Sequence, residues 1–151
     1  MVNFSDAYIE RCDKETENMI KIETEAFLSQ ALTYLKKNKK EFIYLESKWF
    51  DEIGVEAISL EVDDVFATYD VMLGLKLQKK FDKSIRSYLD TNLQGKDAKF
   101  DLMFSQEDGL WNLNFTLNYV EGFKEEMPLS EAFKLIYQFL FKLVDTVKVV
   151  Q

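Results

Sequence analysis

The sequence predicts an α+β fold, an antiparallel sheet of about five strands in the order α-β-β-β-α-β-β-α with its helices packed on one face. Three observations carry this. The hydrophobic period changes from helical to two-residue and back along the chain. An Asp108-Gly109 pair sits between two alternating runs. A long apolar segment follows the only proline, Pro128. With 151 residues, 47% apolar and 15% aromatic, the chain can fill the core of one domain, and no linker, repeat or composition break divides 1–151.

Residues 5–15 are acidic and weakly amphipathic, and 1–16 reads as a frayed or loosely packed helical extension. Over 17–39, at about 100° per residue, Phe27, Leu28, Ala31, Tyr34 and Leu35 share the side of Ile20. Glu25, Ser29 and Lys36 lie opposite, so a helix is expected. Residues 42–49 are rich in aromatic and branched side chains and read as a strand. Ile58, Leu60 and Val62 alternate with Ser59 and Glu61, and Tyr69, Val71, Leu73, Leu75 and Leu77 alternate with Asp70, Met72, Gly74 and Lys76. Both are half-buried strands. Residues 51–54 and Asp63-Asp64 supply the turns between them.

Phe81, Ile85, Tyr88, Leu89 and Leu93 return to helical spacing, with Gly95 as a stop signal. Phe100, Leu102 and Phe104 then lead through Asp108-Gly109 into Trp111, Leu113, Phe115, Leu117 and Tyr119, a hairpin. Ser130 reads as the N-cap of a final helix running toward Val149.

The functional inventory is defined by what is missing. There is no histidine, so Ser-His and Cys-His pairs and the usual zinc sets are excluded. Cys12 is the only cysteine; it excludes an internal disulfide and reads as a passive small side chain. Five scattered glycines make no phosphate cradle. Glu61, Asp63 and Asp64 form the densest carboxylate group, but their side chains alternate across faces and read as strand-end and turn residues. No cofactor and no metal are expected. The net charge of −8 would repel a nucleic acid backbone and suits a basic protein partner. The opening residues carry no secretory signal, and no apolar run is long enough for a membrane span, so a cytoplasmic location is expected.

Two surfaces read as partner-binding. Asn112, Asn114, Thr116 and Asn118 form an uncharged outward row on the last strand, where Asn is otherwise rare. On the final helix, Phe133, Tyr137, Phe141 and Val144 make a second apolar stripe beside Ala132, Ile136, Phe139, Leu140, Leu143 and Val147. One sheet contact needs a stripe only about 100° wide. The second stripe is covered either by the N-terminal helix or by another molecule, with Tyr137 and Phe141 on the edge.

The 81–93 helix, the 100–119 hairpin and the 130–149 helix, in a small acidic chain, resemble the class I chaperones of type III secretion and related chaperone-like domains. The resemblance spans about residues 17–149 and is one of element order; the long helical region before the first strand departs from it. It implies a homodimer that holds an extended segment of a partner protein without catalysis, and it carries over no residue role. The residues themselves point to a non-enzymatic protein-binding module, a chaperone-like adaptor or an immunity or inhibitor protein. The alternative is a carboxylate-based enzyme or small-ligand binder lined by Trp111, Phe115 and Tyr119.

Overall fold

In a computed structural model that describes residues 2–95 and 100–149, the chain forms one antiparallel sheet of seven strands in the order β2-β1-β3-β4-β5-β7-β6. The strands are β1 (Tyr8–Asp13), β2 (Met19–Glu23), β3 (Glu41–Glu46), β4 (Val55–Val62), β5 (Tyr69–Leu75), β6 (Phe100–Ser105) and β7 (Leu110–Thr116). The helices are α1 (Tyr34–Lys37), α2 (Asp82–Asn92) and α3 (Leu129–Val149).

The α+β class and the antiparallel pairing are as the sequence predicts; the first third of the chain is not. Residues 8–13 and 19–23 are strands, not helix. The helix expected over 17–39 survives only as a tight turn of helix at Glu25–Ser29 and the single turn α1. The register explains why these strands are hard to read. Ile9, Arg11 and Asp13 pair with Leu45, Ile43 and Glu41, so they point to the same face as those residues. At that corner of the core an ionic network replaces apolar packing. The Arg11 guanidinium bonds Glu23 at 2.7 Å and Glu41 at 3.1 Å, and donates to the Tyr34 hydroxyl at 3.2 Å. A charge at an inward position erases the two-residue hydrophobic signal.

One row across the sheet shows how the core is assembled. Ile9, Leu45, Ile58, Leu73, Leu113 and Leu102 stand opposite one another from β1 to β6, and all are buried. Helices α2 and α3 cover this face, with the Phe139 ring 5.0 Å from Phe115 and 5.4 Å from Tyr88. Trp111 lies in the same layer, its indole N–H donating to the Gln78 carbonyl at 3.3 Å and its ring 5.1 Å from Phe104. Trp111→Ala is therefore expected to lose about 3–5 kcal/mol of stability, read as a fall in the urea midpoint.

Two boundaries differ from expectation. β7 ends at Thr116, and Leu117–Tyr119 coils into a helical turn. Helix α3 begins at Leu129, so Ser130 lies inside its first turn rather than capping it, and the Ala132 N–H bonds the Pro128 carbonyl at 3.0 Å. At the Asp108-Gly109 turn, Gly109 adopts φ +66°, the left-handed conformation for which glycine is suited. Its N–H donates to the Ser105 carbonyl at 2.8 Å.

Candidate functional site

The second apolar stripe of α3 is used inside the molecule. Tyr137 is only 5% exposed. Its ring meets Trp49 and Phe50 of the helical turn Lys48–Ile53 at 6.2 and 6.4 Å, and its hydroxyl bonds Glu52 at 3.1 Å. Phe133 is covered by Phe4 at 6.4 Å. The cover is thus a short turn and a terminal phenylalanine, not the expected N-terminal helix. Phe141 remains 45% exposed at the rim, 6.1 Å from Tyr137.

The asparagine row is shorter than expected. Asn112 and Asn114 are exposed on the open face of the sheet, where Asn114 lines a shallow cavity of about 470 Å³ with Asp70, Met72, Asp101 and Thr116. Asn118 lies beyond the strand, and its side-chain oxygen accepts the Tyr69 backbone N–H at 2.8 Å. It closes the start of β5 and does not join the other two.

Among the described residues, the most exposed apolar pair lies elsewhere, on a turn. β1 and β4 are both antiparallel to β3, so the turns that follow them, 13–18 and 63–68, leave the same end of the sheet. They are built alike. Asp13 Oδ1 accepts the N–H groups of Glu15 and Thr16 at 2.9 Å each, and Asp63 Oδ1 accepts those of Val65 and Phe66 at 2.8 Å each. The N–H of Glu17 returns to the Asp13 carbonyl at 2.8 Å, and that of Ala67 to the Asp63 carbonyl at 3.0 Å. Glu17 and Ala67 sit at φ +64° and +57°, a conformation side chains adopt only where the surrounding bonds impose it. The N–H bonds hold both aspartates below the usual carboxylate range.

This lock fixes the tip of the second turn, where Val65 is 81% and Phe66 76% exposed. Side by side on a hydrogen-bonded turn, the two side chains form a small exposed apolar patch at the end of the sheet. Lys14 ties the two turns together, bonding Asp64 at 3.1 Å, lying 3.6 Å from Glu61 and donating to the Val62 carbonyl.

Behind the tip, Glu61 and Asp70 stand opposite each other on β4 and β5, on the open face. Burial raises the Glu61 pKa above its ordinary value despite Lys14. Burial, then Asp63 and Glu61, push Asp70 up to about 6. Between about pH 4 and 6 the folded protein therefore binds this proton more readily than the unfolded chain, so stability rises as pH falls through that window. Asp13 and Asp63, held below their ordinary value, work in the opposite sense: their contribution is lost as pH falls further, through their lowered pKa values. Because Asp70 is only partly buried, solvent screening reduces the effect. Asp70→Asn is expected to add about 1 kcal/mol at pH 7 and to reduce the slope between pH 4 and 7, measured by urea unfolding at the two ends.

Cys12 is buried, and its thiol is pushed up to about 11, first by burial and then by Glu10. Among the described residues, no three Asp, Glu or Cys side chains are placed to hold a metal ion. A cavity of about 570 Å³ opens around Asp6, Glu46, Asp51, Glu56, Lys48 and Lys76. Asp6 is occupied there, accepting from the Ser47 hydroxyl at 3.0 Å and the Lys48 N–H at 2.7 Å. Among the described residues, no helix is long and apolar enough to cross a membrane. The sequence could have located the 63–68 tip, since Val65-Phe66 interrupts a turn that opens with two aspartates; reading 63–64 as the whole turn hid it. Compared with known proteins, the chain matches no family model, no curated protein and no solved structure.

Proposed function

We propose that this chain is a non-enzymatic protein-binding module of the inhibitor or immunity type, which inserts the 63–68 turn into an apolar pocket rimmed by basic groups on another protein. The observation that carries the reading is the exposed Val65-Phe66 pair on a locked turn between carboxylates. A pre-ordered tip loses little conformational entropy on binding. Apolar anchors seated in a pocket supply most of an interface's energy. Asp63 and Asp64 beside the tip, with a net charge of −8, favour a basic partner and fast, salt-dependent association. A chaperone-type adaptor would instead need a long apolar groove, and most of the surplus apolar surface of α3 is buried within the chain.

The test is affinity capture from the source cell's extract on immobilised wild type and on a Val65→Ser/Phe66→Ser double variant, at low and high salt. The expected result is a basic protein retained by wild type at low salt and lost from the variant. Identical sets of retained proteins on both columns would refute the reading.

A further inference from the structure

We propose that β2 is a self-association edge, and that two copies of this chain pair their β2 strands antiparallel about a two-fold axis at Ile22, joining their sheets into one. This rests on a surface separate from the 63–68 tip.

Among the described residues, no strand pairs with the outer side of β2. Lys14 N–H bonds the Lys40 carbonyl on the β3 side, and Asp13 N–H bonds the Asn18 carbonyl on the β2 side. Hydrogen bonding alternates along a strand, so Ile9 and Arg11 direct their backbone groups toward β2, and their partners Glu23 and Lys21 direct theirs back. Ile22, between them, therefore points its N–H and C=O away from β1, at the outer edge of the sheet. Met19, Ile20 and Ile22 are each about half exposed there.

Charge selects both the occupant and the register. A lone lysine on an edge strand normally guards it against pairing. A two-fold at Lys21 would stack that residue on its own copy, a repulsive arrangement. A two-fold at Ile22 places each Lys21 across from Glu23 of the other copy, in the closely spaced position where side chains interact most. It also sets Ile22 against Ile22 as a hydrogen-bonded pair. The strand complements itself in this register, which is the property an isologous dimer requires. The pairing would further join the open-face rows of the two copies through Ile22, which stands in line with Glu10 and Tyr44. The bulge between Arg11 and Cys12 limits the paired length, so a weak dimer is expected, with Kd of about tens of micromolar.

The test combines mass in solution with cross-linking. Sedimentation equilibrium of the wild type should show a monomer–dimer equilibrium, and Lys21→Glu, which sets two acids opposite each other, should weaken it about tenfold with the melting temperature unchanged. Under mild oxidation Ile22→Cys should form a covalent dimer much faster than Met103→Cys, an exposed position on the opposite edge strand. Paired Cα atoms about 5.5 Å apart suit a disulfide. A wild type that stays monomeric at several hundred micromolar, or a dimer that Lys21→Glu leaves intact, would overturn the proposal. So would equal cross-linking from both edges.

Discussion

Tyr137→Asp is expected to destabilise the whole fold rather than release a surface. The substitution removes a ring packed against Trp49 and Phe50 and buries a carboxylate where the hydroxyl had bonded Glu52. The lost packing, the unpaired buried charge and the repulsion from Glu52 add to about 3–5 kcal/mol, a large share of a small domain's stability. Phe141→Asp, one turn further along at the exposed rim, should cost within about 1 kcal/mol. A urea midpoint for each variant separates them, and equal midpoints would mean the second stripe of α3 is not internal packing.

The second large effect concerns binding. In the purified complex with its partner, Phe66→Ser should weaken affinity by about 10- to 100-fold, the value of one phenyl group moved from a pocket into water. Most of that loss should fall on the dissociation rate. Asp64→Asn should act mainly on the association rate and its salt dependence, since its charge lies beside the anchor. Neither substitution should move the melting temperature by more than about 2 °C, because both side chains are exposed. A matching fall in thermal stability would place Phe66 in the fold rather than in the interface.

What the sequence revealed depended on whether a strand's two faces met different surroundings. β4, β5 and β7 have helices on one side and water on the other, and their alternation is plain in Leu60-Glu61-Val62 and Leu113-Asn114-Phe115. β1 breaks the pattern twice, with Arg11 inward in an ionic network and Cys12 outward yet buried. β2 lies at the edge with its apolar side chains half exposed, so burial imposed no alternation on it. The helical spacing from Phe27 to Leu35 was real but divided, because Leu32 N–H bonds the Met127 carbonyl and Ala31 bridges Pro128.

The surfaces follow the same logic. The width of the apolar arc on α3 was legible, but what covered it was not, since Phe4 and Trp49 reach it only through tertiary folding. Asn112 and Asn114 were placed correctly on the open face; Asn118 was misplaced because strand periodicity continues smoothly into the turn at Leu117. The position of the 63–68 tip was open to sequence reading, but its hydrogen-bonded conformation needed the structure, because the φ of Ala67 and the two N–H bonds to Asp63 are what distinguish Phe66 from an ordinary loop residue.

The proposed docking site for another protein is the 63–68 turn. Amide hydrogen exchange of the chain, free and in complex, tests it most directly. Protection on binding is expected to be greatest over 63–68, with a smaller effect on the neighbouring 13–18 turn that Lys14 ties to it. Protection confined to the α3 rim around Phe141, or to the Asn112 and Asn114 face, with the tip still exchanging freely, would contradict it.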